Sequence, residues 1–179
     1  DQAVEYLGYD RFQHLLLLFC GVAMVASAGE VMMTSFLMPE LRATWGAEGW
    51  QTALMGAMIF LGQLLGSMTW GVVGDYIGRK WACFIIMIST SAFGIASAFS
   101  PNIYVMIVFR FFVGVGIGGD VVVFALFTEY LPVAYRGNAL MNLQTFWSVG
   151  TVGMSLIAMI FLPKEASRLA FFGTDAWRY

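Results

Sequence analysis

"RFFVGVGIGGD", residues 110–120, sets Gly114, Gly116 and Gly119 in the pattern GxGxxG. In a soluble nucleotide-binding enzyme that pattern lies where a strand turns into a helix, and its glycines let the backbone approach a pyrophosphate. The apolar run before it, "VMIVF" at 105–109, is too short for periodicity to separate a strand from a helix. The flanking sequence decides.

Hydrophobic residues make up 60% of the chain and charged residues 11%, against about 45–50% and about 25% in ordinary soluble domains. A length of 179 residues would suit one globular domain, but 9 Lys and Arg with 11 Asp and Glu cannot coat one. The medium around the chain must be mostly lipid bilayer. A net charge of −2 provides no basic stripe to release counterions, which argues against a nucleic-acid partner. Cys20 and Cys83 lie in long apolar runs and read as two free, buried thiols. The chain starts at Asp1 and ends on "AWRY", so we expect a piece of a larger protein. No cleavable signal peptide is read, because the first apolar stretch is too long and has no small-residue cleavage site.

A spanning helix needs about 20 mainly apolar residues. No charge occurs between Arg11 and Glu30, and apolar character continues to Met38, with Pro39 marking the exit. The first helix is therefore expected at 14–38. Uncharged stretches give further helices at 51–73, 81–99, 103–126 and 139–162, and a sixth begins near Trp177. "SPN" at 100–102 separates the third from the fourth. The expected fold is an all-α polytopic membrane protein. Five spans in a row leave no Rossmann unit, and the glycines of the opening stretch fall inside the fourth span. Arg110, Gly114 and Gly118 recur there at i, i+4 and i+8, so the glycines offer a neighbouring helix a close approach. Gly116 and Gly119 thin the other faces, as suits a helix that slides or rocks. With the N-terminus inside, the basic residues divide four against four, and the positive-inside rule gives no orientation.

The turn between the second and third helices reads "GVVGDYIGRK", with Gly71, Asp75, Gly78, Arg79 and Lys80 as its skeleton. The fourth helix carries Arg110, Gly114, Gly116, Gly118 and Gly119, and "EYLPVAYRG" follows with Glu129, Pro132, Arg136 and Gly137. Together these resemble the major facilitator superfamily, in a sugar-porter-like form. Tyr76 and Trp81 depart from its signature loop, where basic residues are usual. "GYDRFQ" at 8–13, Glu30, "FWSVGT" at 146–151 and the terminal "WRY" resemble the synaptic-vesicle-protein-related and organic ion transporter branch. Those relatives often carry an Asp where this chain has Ser27. "GGD", ending at Asp120, is also similar to the phosphate:proton symporters.

The resemblance implies an incomplete N-terminal six-helix half, residues 1–179, of a twelve-helix fold built from inverted repeats. It also implies a cytoplasmic N-terminus, and a C-terminal half of the same protein as partner. "AGEV" at 28–31 and "GGDV" at 118–121 are a faint trace of the repeat. The implied function is secondary active transport of a small-molecule solute, with protons as the coupling ion, by alternating access. Asp75, Arg79, Lys80, Glu129 and Arg136 would form a cytoplasmic gating cluster. A rival from another class is a transporter-like vesicle or receptor protein that no longer transports.

Glu30, Arg110 and Asp120 lie within spans, where each costs roughly 2.5–3.5 kcal/mol at a helix centre. Helix direction puts Glu30 and Arg110 at one depth, about 12 Å below the same boundary at about 1.5 Å per residue. They can pair if their helices face each other; otherwise each is separately hydrated. Asp120 lies about 15 Å along the helix from Arg110, too far for a direct pair. It is the candidate proton carrier, with a structural hydrogen-bonded Asp as the alternative. Gln144 and Trp147, three residues apart, either line a substrate cavity or bond between helices. Gln63, Asn142 and Ser148 are the other polar groups in the spans, and His14 lies at the membrane edge. No metal-ligand spacing, nucleophile triad or phosphate-binding loop is present, so no enzyme activity, cofactor or ATP drive is supported. Candidate solutes are organic anions, organic cations, phosphate and sugars.

Overall fold

Every regular element in the computed structural model, which describes residues 11–161, is helical. The order is α1 (Arg11–Trp45), α2 (Gly49–Ile77), α3 (Arg79–Ala98), α4 (Ile103–Ile117), α5 (Asp120–Glu129), a 3-10 turn (Val133–Tyr135) and α6 (Arg136–Phe161). Taking Ile103–Glu129 as one span, five helices are long and apolar enough to cross a membrane. The expected start of a sixth near 177 lies outside the described residues. The outer surface is apolar: Leu64, Met68, Ile88, Ile95, Met159 and Ile160 are all more than half exposed. On a soluble protein such a coat would drive aggregation, whereas in a bilayer it faces lipid.

Lipid tails are as apolar as leucine, so helices in a membrane associate by close packing and hydrogen bonds. The tightest packing is between α2 and α4, and it is reciprocal. A methyl group at Gly62 or Gly66 of α2 would overlap the backbone carbonyl of Phe111 or Val115. One at Gly114 or Gly118 of α4 would overlap the carbonyl of Ile59 or Gln63. Here the two backbones touch directly. Gly116 of α4 and Gly119, just before α5, face α3 instead. Thr90 of α3 fills the space at Gly116, and Ile86 of α3 fills the space at Gly119. At one end of the bundle Cys20, Cys83, Phe127, Leu131 and Leu143 form a core joining α1, α3, α5 and α6. Both cysteines are buried, free thiols.

The helix bounds differ from the sequence reading by a few residues throughout, and two of the differences are larger. Pro39 does not end α1, which runs on to Trp45. A proline removes one backbone donor, and the turn beyond it is tied to α2 by Arg42, whose guanidinium donates to Thr52 Oγ1 at 2.7 and 3.0 Å. The fourth span is interrupted. Gly119 N–H donates to Gly116 O and Val122 N–H to Gly119 O, both at 2.9 Å. These i→i+3 bonds tighten the helix at the Gly118–Gly119 pair, whose residues carry the lowest helix propensity after proline. As a result α5 starts afresh at Asp120. At the α2–α3 turn Gly78 has φ +93°, a left-handed conformation that favours glycine, and its N–H bonds Gly74 O at 3.1 Å.

The backbone contact gives a direct test. Gly114→Val should destabilise the full-length protein by about 3 kcal/mol, the upper part of the usual overpacking range. Gly71→Ala, at a position with open space around it, should leave the thermal transition in detergent unchanged within about 0.5 kcal/mol.

Candidate functional site

Arg110 is the largest fully buried side chain, only 1% exposed. Its Nη1 donates to Glu30 Oε2 of α1 at 2.9 Å and to Thr34 Oγ1 at 3.2 Å. Its Nη2 donates to Ser97 Oγ of α3 at 3.1 Å. The guanidinium thus ties α4 to both α1 and α3. Glu30 is 22% exposed, so the pair meets the cavity through its acid. Gly94 of α3 makes room for that acid, since a methyl there would press on Glu30 Oε1. Among the described residues Arg110 Nε has no hydrogen-bond partner. The site is therefore held by a strong ion pair and a less than complete set of donors.

Asp120 is handled differently. It opens α5, where the positive end of the helix dipole lies. Its Oδ1 accepts from Ser27 Oγ of α1 at 2.9 Å, and no cation pairs with it among the described residues. Ser27 and Glu30 are three residues apart on α1, so both acids meet the same stretch of that helix.

The two carboxylates line one cavity of about 260 Å³, walled by Ser27 and Met33 of α1, Thr90 and Ser91 of α3, and Met154 of α6. Asp120 also lines a second recess of about 280 Å³ on the α2 side, with Gln63 and Ser67. Gln144 and Trp147 do not reach the first cavity: Gln144 is exposed, and Trp147 packs on the core around Cys20 and Leu143. Asn142 and Ser148 are also exposed. The α6 contribution comes from Met154. Sequence reasoning also missed Thr90, Gly94 and Ser97. Their spacing, i, i+4 and i+7 in an otherwise apolar helix, marks one small and polar face of α3.

At the α2–α3 turn Arg79 bridges two acids, Glu129 at the end of α5 at 3.0 Å and Asp75 at 3.6 Å. The other two members expected in this cluster stand outside the ion pairs. Lys80 is exposed, and Arg136 donates from Nε to the Leu131 carbonyl at 3.1 Å, closing the turn at Pro132. Tyr76 and Trp81, the departures from the signature loop, are both largely exposed.

Residues 18–178 match the family model of the Major Facilitator Superfamily. The chain belongs to that superfamily. It is 35% identical over 173 residues to organic cation/carnitine transporter 7 of Arabidopsis thaliana, covering 96% of this chain and 35% of that protein. It is 37% identical over 164 residues to the synaptic vesicle 2-related protein of Rattus norvegicus, covering 92% of this chain and 30% of that protein. The chain therefore spans about a third of the length of these curated relatives. Within the superfamily this is the branch that the sequence resemblance named. The protein is an integral, multi-pass membrane protein, and the glycine pattern that matched a dinucleotide loop belongs to its fourth span.

Breaking the buried pair from one side should be worse than removing it whole. Arg110→Leu, leaving Glu30 beside an apolar wall, should cost about 3–5 kcal/mol. Adding Glu30→Gln to that variant should recover part of the loss, and the double-mutant cycle in thermal stability reads the difference.

Proposed function

We propose that this chain is the N-terminal half of a secondary active transporter, a symporter that moves a small organic ion together with protons by alternating access. One observation carries the reading: a compensated and an uncompensated carboxylate share one intramembrane cavity in a Major Facilitator Superfamily half. Glu30 and Arg110 cancel, so the unbalanced charge in the cavity is that of Asp120. A group that carries protons must exchange them with its surroundings at working pH. Asp120 opens onto two recesses and, among the described residues, accepts a hydroxyl hydrogen bond and pairs with no cation, so it can take and release a proton without breaking an ion pair. Glu30–Arg110 then serves as a binding or gating pair on the same cavity wall. The net negative field suits a cation, in keeping with the organic cation named for one relative. A scaffold with no transport task would gain nothing from three intramembrane charges, which sets the receptor-like alternative aside.

In this reading the N-terminus and the Asp75–Arg79–Glu129 cluster are cytoplasmic, and the cluster holds one state of the cycle closed. Each of these exposed pairs contributes about 0–1 kcal/mol, and because Arg79 bridges both acids its removal loses both.

Asp120→Asn in the full-length protein should remove the pH dependence of uptake into proteoliposomes, and a pH profile identical to that of the parent protein would overturn the assignment. Arg79→Ala should shift the distribution of open and closed states seen by double electron–electron resonance. An unmoved distance distribution would count against the cluster as a gate.

A further inference from the structure

The break between α4 and α5 takes the Val115 carbonyl out of the helical bonding pattern. In an unbroken helix the Val115 carbonyl would accept the Gly119 N–H. Here that N–H is directed to Gly116 O at 2.9 Å. Trp70 of α2 supplies the replacement: its indole Nε1–H donates to the Val115 carbonyl at 3.0 Å. Gly66, one turn earlier on α2, brings the helices close enough, because any side chain there would overlap that same carbonyl. The Trp70 ring is partly buried and rests on the core around Cys20 and Val122. It is therefore held from one side by packing and from the other by a hydrogen bond.

We infer that Trp70 is a positioning residue for Asp120. In lipid an unpaired carbonyl has no water to turn to, so Val115 O must find a donor within the protein. Two donors compete for it: the Trp70 indole and the Gly119 N–H. While the indole holds the carbonyl, the turn at Gly118–Gly119 stays tightened, and α5 starts with Asp120 against Ser27 at 2.9 Å. Without the indole, Gly119 N–H returns to Val115 O, the turn relaxes to an ordinary helix, and Asp120 rotates off Ser27. Trp70 touches neither solute nor proton. It acts on both through the direction in which Asp120 is presented, and this role rests on the proposed reading of Asp120 as the proton carrier.

The test uses the full-length protein with Trp70→Phe, which keeps a ring and removes the N–H. Infrared difference spectroscopy follows the Asp120 carboxyl band, identified by its loss in Asp120→Asn, and uptake is measured over the same pH range. The expected result is that both midpoints move together by about half a pH unit or more, while Trp81→Phe, at the exposed α3 surface, moves neither. An unmoved infrared midpoint in Trp70→Phe overturns the positioning role. A shifted infrared midpoint with an unmoved uptake profile keeps that role and overturns Asp120 as the proton carrier. A carboxyl band that does not titrate in the parent protein overturns both. Where Trp70→Phe fails to fold, the benzothiophene analogue of tryptophan at position 70 retains the fused ring without the N–H and gives the same reading.

Discussion

The backbone contact between α2 and α4 is the constraint on which the remaining arrangement depends. Gly62 and Gly66 on one helix and Gly114 and Gly118 on the other leave no side chain between them. In water such a contact would be a minor part of a hydrophobic core. In lipid, where burial of apolar surface supplies no drive, close packing and the polar bonds it permits are what hold helices together. The contact brings the indole of Trp70 within reach of a main-chain carbonyl. It also fixes the helix from which Arg110 reaches α1 and α3. With side chains at these glycines, α4 would stand away from α2, and the indole bond would be lost.

The two kinds of buried acid follow from the cost of charge in a low dielectric. Removing an ion pair from water is repaid only when geometry is good and the remaining donors are satisfied. Arg110 comes close, with one carboxylate and two hydroxyls, and one nitrogen unpaired. Removing one partner would be worse than keeping both, because it leaves an uncompensated charge at a buried site. Asp120, with a single hydroxyl partner and no cation, has no such anchor. An ion-paired acid and an acid held by a hydroxyl thus face the same cavity in different environments.

The spans were legible in the sequence because a bilayer makes one strong demand, an uncharged run of about 20 residues, and five such runs stand between the charged turns. The Glu30–Arg110 depth match was legible too, since helix rise and direction fix it. What was not legible depends on rotation about a helix axis. Gln144 and Trp147 share a face by spacing, but spacing does not say whether that face turns inward, and the cavity took Met154 instead. Gly62 and Gly66 were unremarked glycines in an apolar run until the carbonyls opposite them were known. The Gly118–Gly119 pair marks a weak point in the helix by propensity, but the donor that takes up the Val115 carbonyl beside it, Trp70, lies 45 residues from Val115. Pro39 misled for a similar reason: Arg42 and Thr52, on different helices, hold the turn beyond it.

The short helix α5 is a strut of ten residues, about 15 Å long, and its two ends are held with unequal strength. At Asp120 it is tied to α1 through Ser27, beside a turn bonded to α2, and both contacts are partly buried. At Glu129 it is tied to Arg79 by an ion pair whose side chains are 49% and 33% exposed. A pair that exposed contributes about 0–1 kcal/mol, whereas the contacts at the Asp120 end are less exposed. Strain applied along the strut is therefore relieved first at the Arg79 end.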